Sequence, residues 1–345
     1  MFNRRKSVVG LDIGSSEVKA VELTQVGDSL KITGFGHARI QSPEQTATAV
    51  LEVLERASIK TRRVCTAVSG RSVIVRYVNL PHMDESELKG ALRYEADKYI
   101  PFDVDEVAID GQKLEDLDGD GDTEREMKVL LVAAKKSLLQ EHVNLIQEMG
   151  LQPVAIDIDT FALTNAYELR SRNSPRVEDD DRVVALIDVG ATKTTVSILK
   201  GSTSYFSREI YLAGDDLSEA ISRQLHVERN EAEELKRNPQ GRESELEDAM
   251  LPVLDDLANE IHLSFDYFEN QFDREVAEVF LSGGAVQTPG LQMAFERVFD
   301  LKATVWDPTE HLELRGEKID VEELRAHASQ LPIAVGLGAR LLDSQ

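Results

Sequence analysis

Cysteine is nearly absent from this 345-residue chain: Cys65 stands alone. One thiol closes no internal disulfide, so a disulfide-stapled extracellular fold is excluded and a reducing compartment is expected. Cys65 lies in an apolar run and reads as buried filler rather than a nucleophile. Aromatic residues are scarce at 6%, and basic residues are outnumbered, 39 Lys and Arg against 63 Asp and Glu. The resulting net charge of −24 argues against general nucleic-acid binding, which needs a basic face, and against adsorption to anionic lipid. No apolar run approaches the ~18 residues of a membrane span. Arg4, Arg5 and Lys6 imitate the start of a signal peptide, but charges interrupt the segment that follows, so that reading is rejected. No amphipathic tail is evident in the closing residues ARLLDSQ.

What is present is a soluble composition, 41% apolar and 30% charged, in a chain long enough for two domains. Val8 to Leu23 organises it: an apolar run with Asp12 near its end, a tight Gly14-Ser15-Ser16 turn, and a second apolar run. That is strand, turn, strand. Small turn residues let backbone N–H groups and hydroxyls approach an anion. A carboxylate at the end of a buried strand needs a partner, and a hydrated metal ion on a phosphate is one candidate. The pattern returns at Ala185 to Leu199, where Asp188 falls on Asp12, Gly190 on Gly14 and Thr192 on Ser16. Two copies of one hairpin predict two related halves facing each other.

Along the chain, the spacing predicts a third strand over 30–40, a helix over 44–57 and a short strand over 64–68. A compact β-α-β-β-α unit follows to about Gly150. It comprises a strand over 73–80, a helix capped by Asp84 with Glu87, strands over 104–114 and 126–135, and a helix over 137–149. The DLDGDGD tract over 116–122 imitates a calcium loop, but Met127 stands where a bidentate Glu belongs, so it reads as a solvated hairpin tip. Residues 171–182 read as an exposed linker. The second half adds a strand over 203–210, a helix from Gly214, a helix capped by Asn230, a polar break over 238–246 and a long helix over 251–270. Over 278–291 a buried strand runs into Gly283-Gly284, a pair that permits close approach of a ligand. Gly336 and Gly338 lie in a closing helical segment and imply backbone-close packing.

GLDIGSS, LIDVGAT and FLSGGAV, in that order, resemble the two phosphate motifs and the adenosine motif of the actin-like ATPase superfamily. Residues 77–107, the VLLVAAKKSLLQEHVNLIQEMGL run and AGDDLSEAISRQL further resemble the PilM family of type IV pilus assembly proteins, whose fold is similar to that of FtsA. The resemblance implies an α/β fold: actin-like (ribonuclease H-like) and two-lobed, with a small β-α-β-β-α insert in the first lobe. The core of the first lobe takes 1–64 and 151–182, the insert 65–150. The second lobe takes 183–212 and 276–328 around a subdomain at 213–275, and 329–345 returns to the first lobe.

The family implies ATP with Mg²⁺ as cofactors. Asp12 and Asp188 would hold the hydrated ion, with Gly14, Ser15, Ser16, Lys19, Gly190, Ala191 and Thr192 on the phosphates. Gly214, Gly283 and Gly284, with Glu233 and Lys236, would lie toward the nucleoside. No residue that positions an attacking water is identified, so hydrolysis is expected to be slow or absent. The implied partner is the N-terminal cytoplasmic peptide of a PilN-like membrane protein, held between the insert and the first lobe, with Leu80, Pro81, Tyr94, Tyr99 and Pro101 as candidate contacts. PilO and the motor ATPases would be indirect partners in a type IV pilus or related type II secretion assembly, and a homo-oligomer is left open. The expected location is cytoplasmic, peripheral to the inner membrane through the partner. A superfamily small-molecule kinase and an FtsA-like filament protein are the alternatives; the insert disfavours the first and the lack of an amphipathic tail the second.

Overall fold

The computed structural model describes residues 6–27, 29–117, 125–173, 182–201, 203–316 and 319–340. The DLDGDGD tract falls almost wholly outside these residues, as does most of the 171–182 linker.

Strands β1 (Lys6–Ile13), β2 (Glu17–Val26) and β3 (Ser29–Arg39) form an antiparallel meander, followed by α1 (Thr46–Arg56) and β4 (Arg63–Val68). Val8, Val9 and Leu11 of β1 are wholly buried, as a strand covered on both faces requires. Val68–Pro153 then form a compact unit of their own. It contains β5 (Val73–Pro81), α2 (Glu85–Ala96), β6 (Val107–Leu117), β7 (Glu126–Lys135) and α3 (Lys136–Glu148), with sheet order β5-β7-β6. Asp84 accepts from the backbone of Ser86 and Glu87 while Glu87 accepts from Asp84 N–H, so the capping box is complete. The strand expected from Val104 starts at Val107, because the Asp103 side chain and carbonyl turn 103–106 first. Leu80, a candidate partner contact, is only 2% exposed, packed in this unit's core with Leu88, Leu92 and Met127, and so is withdrawn from that role.

The chain continues with β8 (Gln152–Ile158), α4 (Asp159–Asn173), β9 (Val183–Val189), β10 (Thr194–Lys200) and β11 (Thr203–Ile210). Helices α5 (Gly214–Leu225), α6 (Arg229–Arg237) and α7 (Glu243–Phe272) follow, then β12 (Glu278–Ser282), α8 (Leu291–Phe299), β13 (Ala303–Val305), β14 (Glu313–Leu314), α9 (Val321–Ala326) and α10 (Pro332–Arg340). Two details depart from the sequence expectation. Asn230 lies inside α6, whose N-cap is Glu228. Helix α7 begins at Glu243 and carries Pro252 within it, because Leu246, Ala249 and Met250 bury the turns that the proline would otherwise end.

The two large sheets repeat one topology. The first runs β3-β2-β1-β4-β8 with β14 added at the edge beside β3; the second runs β11-β10-β9-β12-β13. In each, a meander is extended by a parallel strand on the first strand's other side. Helices α4 and α10 cross between the sheets. A Cβ on Gly336 would overlap the Ala162 carbonyl, and one on Gly10 the Ala334 carbonyl, so these backbones touch with no side chain between them. Tyr167, Phe280 and Trp306 close the same core, with Tyr167 and Phe280 ring centroids 5.6 Å apart. Among the described residues no helix is long and apolar enough to cross a membrane.

Candidate nucleotide site

Both hairpin turns close by the same bond: Gly14 N–H donates to the Glu17 carbonyl at 3.0 Å, and Gly190 N–H to the Lys193 carbonyl at 3.0 Å. The turns meet, with Thr192 Oγ1 3.2 Å from Ser15 Oγ. Behind them stand the two carboxylates. Asp12 is 7% exposed, and Lys19 Nζ donates to its Oδ2 at 3.1 Å. Asp188 Oδ1 accepts from Ser282 Oγ at 2.8 Å. Burial pushes the Asp12 carboxyl above its ordinary pKa, against the pull of Lys19. The same burial opposes the Lys19 charge, but Asp12, Glu17 and Asp188 together hold the lysine above its usual value. Asp188 is pushed up to about 6, chiefly by burial, with Ser282 and Lys19 opposing.

The second lobe builds the far wall. Gly214 N–H donates to the Gly190 carbonyl at 3.1 Å and Asp215 N–H to the Ala191 carbonyl at 2.7 Å, so the start of α5 is tied to the second turn. Gly283 sits at φ +98°, where a Cβ would run into the backbone of Val189. Its N–H donates to the Ser329 carbonyl at 2.7 Å. Gly284 has open space: the nearest atom to a Cβ there is Gln330 Oε1 at 4.0 Å. That oxygen is buried and has no hydrogen-bond partner, so it is an orphaned acceptor beside the glycine pair.

Lys236 is 6% exposed, far from a solvated helix residue. Its Nζ donates to the Gly214 carbonyl at 2.8 Å and Ser218 Oγ at 2.7 Å, and pairs with Glu233 at 2.6 Å. Its three donors are committed, and it pins α6 to the start of α5. Burial alone would raise the Glu233 pKa; Lys236 and Ser218 lower it instead.

Three further residues belong to the same cluster. Lys193, in the position matching Glu17, donates to Asp159 and Glu209 at 2.8 Å each. Asp159, at the start of α4, bears electrostatically on both Asp12 and Asp188. Ser282 is brought beside Asp188 by parallel pairing of β12 with β9. Of these, Ser282 lies within the FLSGGAV motif and Asp159 follows a strand, while Lys193 carried no signal in the sequence.

The donor set suits the expected ligand. Two carboxylates at the ends of buried strands offer hard oxygens to a hydrated Mg²⁺, and the two turns offer hydroxyls and N–H groups to phosphates. The orphaned Gln330 acceptor suits a donor on a nucleoside.

The repeated sheets crossed by two helices define the actin-like α/β fold. The MreB5 structure of Spiroplasma citri bound to AMPPNP superposes with a TM-score of 0.50 at 11% identity, over 98% of this chain and 96% of that one. Within that fold the chain matches the family described as type IV pilus assembly protein PilM over residues 10–341, and it belongs to that family. The solved PilM–PilN type IV pilus biogenesis complex contains a chain 29% identical, with a TM-score of 0.83, over 96% of this chain and 98% of that one. The cell division protein FtsA of Streptococcus pneumoniae is 25% identical over 259 residues, 66% of this chain but 55% of FtsA. The chain thus spans a little over half the length of the curated relatives it matches.

Proposed function

We propose that this protein is an ATP-binding scaffold of a type IV pilus inner-membrane complex, located in the cytoplasm and tethered to the membrane through a PilN-like partner. The contact of Ser15 with Thr192, backed by Asp12 and Asp188, carries the nucleotide reading. Phosphate oxygens would take over that hydroxyl pair, Gly14, Ser15, Ser16, Gly190, Ala191 and Thr192 would line them, and Mg²⁺ would sit through water on the two aspartates. The glycine pair and Gly214 would face the nucleoside. Asp159 accepts from Lys193 Nζ at 2.8 Å, a bond it would have to give up to position a water, which supports slow hydrolysis. Calorimetry of Mg-ATP binding tests this. Asp12→Asn and Asp188→Asn should each weaken affinity at least 10-fold, about 1.4 kcal/mol, with turnover well below ~10 s⁻¹ in the unaltered chain. Undiminished affinity in both folded variants would sink the site.

The partner reading rests on family membership and on the solved PilM–PilN complex. In the Val68–Pro153 unit, β5 and β6 are sheet edges, and an extended peptide can pair with such an edge. Tyr94 is 77% exposed on α2, and Pro81 and Pro101 are exposed; these remain the candidate contacts, with half-buried Tyr99. The net charge of −24 favours a peptide flanked by lysine or arginine. Ordering such a peptide costs free energy, so micromolar affinity is expected. Hydrogen exchange with the N-terminal peptide of a PilN-like protein should protect amides within residues 65–150. Protection confined to 186–325 would refute it.

A further inference from the structure

Glu17, His37 and His327 are far apart in the chain and come together at the edge of the first lobe. Glu17 opens β2 directly after the first turn. In the β2–β3 register Glu17 faces Arg39 and Lys19 faces His37, so Glu17 and His37 share a face on the diagonal. His327 ends α9, one turn beyond Glu323. His37 Nδ1 lies 2.9 Å from Glu17 Oε1 and its Nε2 3.1 Å from Glu323 Oε1. The His37 and His327 ring centroids are 3.8 Å apart, at 32°. One ligand atom from each of Glu17, His37 and His327 lies within 4.8 Å of the others, and all three residues are half-buried.

The hydrogen bonds assign the nitrogens. His37 has a carboxylate at each ring nitrogen, Glu17 at Nδ1 and Glu323 at Nε2. His327 Nδ1 donates to the Glu323 carbonyl at 2.9 Å, which leaves Nε2 as its ligating nitrogen. We propose that Glu17, His37 and His327 form a site for a divalent transition-metal ion of the zinc class, with Glu323 orienting His37. The metal takes the proton's place on His37 Nδ1, beside Glu17; Nε2–H remains bonded to Glu323, the usual carboxylate support of a ligating histidine. His327 Nε2 supplies the second nitrogen, and water completes a tetrahedron. Two nitrogens and one carboxylate suit Zn²⁺ and not Mg²⁺, which requires six oxygens. Tetrahedral ligands about 2.1 Å from the metal lie about 3.4 Å apart, so side-chain rotation rather than backbone movement closes the set. This site is independent of the nucleotide reading.

The test uses the full chain without an affinity tag, free of nucleotide, at pH 7.5, with ZnCl₂ competed against a chromophoric chelator and CoCl₂ followed by absorption. One Zn²⁺ per chain is expected, insensitive to millimolar Mg²⁺, with Co²⁺ giving the intense spectrum of a four-coordinate ion. His37→Gln and His327→Gln, checked for folding by melting in EDTA, should each weaken Zn²⁺ at least 10-fold. Absence of Zn²⁺ binding in the unaltered chain overturns the proposal, as does binding that survives both substitutions or a weak six-coordinate Co²⁺ spectrum. Zn²⁺ binding lost in Asp188→Asn but kept in His327→Gln would put the ion at the turns and equally overturn it. Should His37→Gln fail to fold, His327→Gln and the cobalt spectrum decide.

Discussion

The two hairpins share a register but not a charge. Asp12 faces Lys19 across β1 and β2; Asp188 faces Thr195 across β9 and β10. On its other side Asp188 gains Ser282 from the parallel strand, whereas one residue past the Leu11–Thr66 pair the first lobe has Ala67. One carboxylate is thus met by a cation and the other by a hydroxyl, and the second is the one pushed up to about 6. Duplicated scaffolds keep backbone geometry because pairing dictates it, while the charge at each turn depends on single side chains. The first turn carries its own countercharge; the second is left to accept one.

The largest effect expected from breaking this comparison is at the clamp on the second turn. Gly283→Val puts a branched side chain at φ +98° against Val189 and should cost at least about 3 kcal/mol in urea unfolding. Gly14→Ala, whose Cβ would crowd the Glu17 carbonyl at 2.9 Å and touch Lys19 Nζ at 3.8 Å, should cost about 1–2 kcal/mol. Equal losses would mean that the turns are held alike.

The carboxylates give the next contrast. Asp12→Asn leaves Lys19 buried without its ion-pair partner and should cost about 2–3 kcal/mol, because Glu17 and Asp188 still face the lysine. Asp188→Asn removes a buried charge whose burial outweighs the help of the Ser282 hydroxyl and the more distant Lys19, so its stability should match or exceed that of the unaltered chain. The smallest effect is the pH dependence of that second difference. The folded pKa of Asp188 lies above its ordinary 3.8, so the folded state takes up the proton first and gains stability as pH falls through about 6. The advantage of Asp188→Asn should therefore be full at pH 7.5 and vanish toward pH 4 in metal-free buffer. A pH-independent difference would contradict the desolvated state of Asp188.

The sequence made the hairpins legible because each is local: strand, small turn and strand are contiguous, and the second copy supplied its own control. The same holds for the Asp84 capping box and for β7, where three or ten neighbouring residues decide the outcome. Residues brought in from a distance were not legible. Ser282 reaches Asp188 only through parallel strand pairing, and His327 reaches His37 only because α9 lands at the edge of the first lobe. Leu80 stood among the candidate partner contacts, yet period-two alternation turns it inward with Val78. Lys236, expected toward the nucleoside, is buried by helix packing against α5.

The crossing of α4 and α10 has a mechanical consequence. Side chains yield by changing rotamer, but carbonyls packed on carbonyl-bearing backbone do not. With Gly336 seated on Ala162 and Gly10 on Ala334, sliding between the lobes is blocked at their centre, while the turns at Ser15 and Thr192 touch through a single hydroxyl pair. The crossing is therefore the stiffest contact between the two sheets, and the turn pair, joined at Ser15 and Thr192, is the softer one.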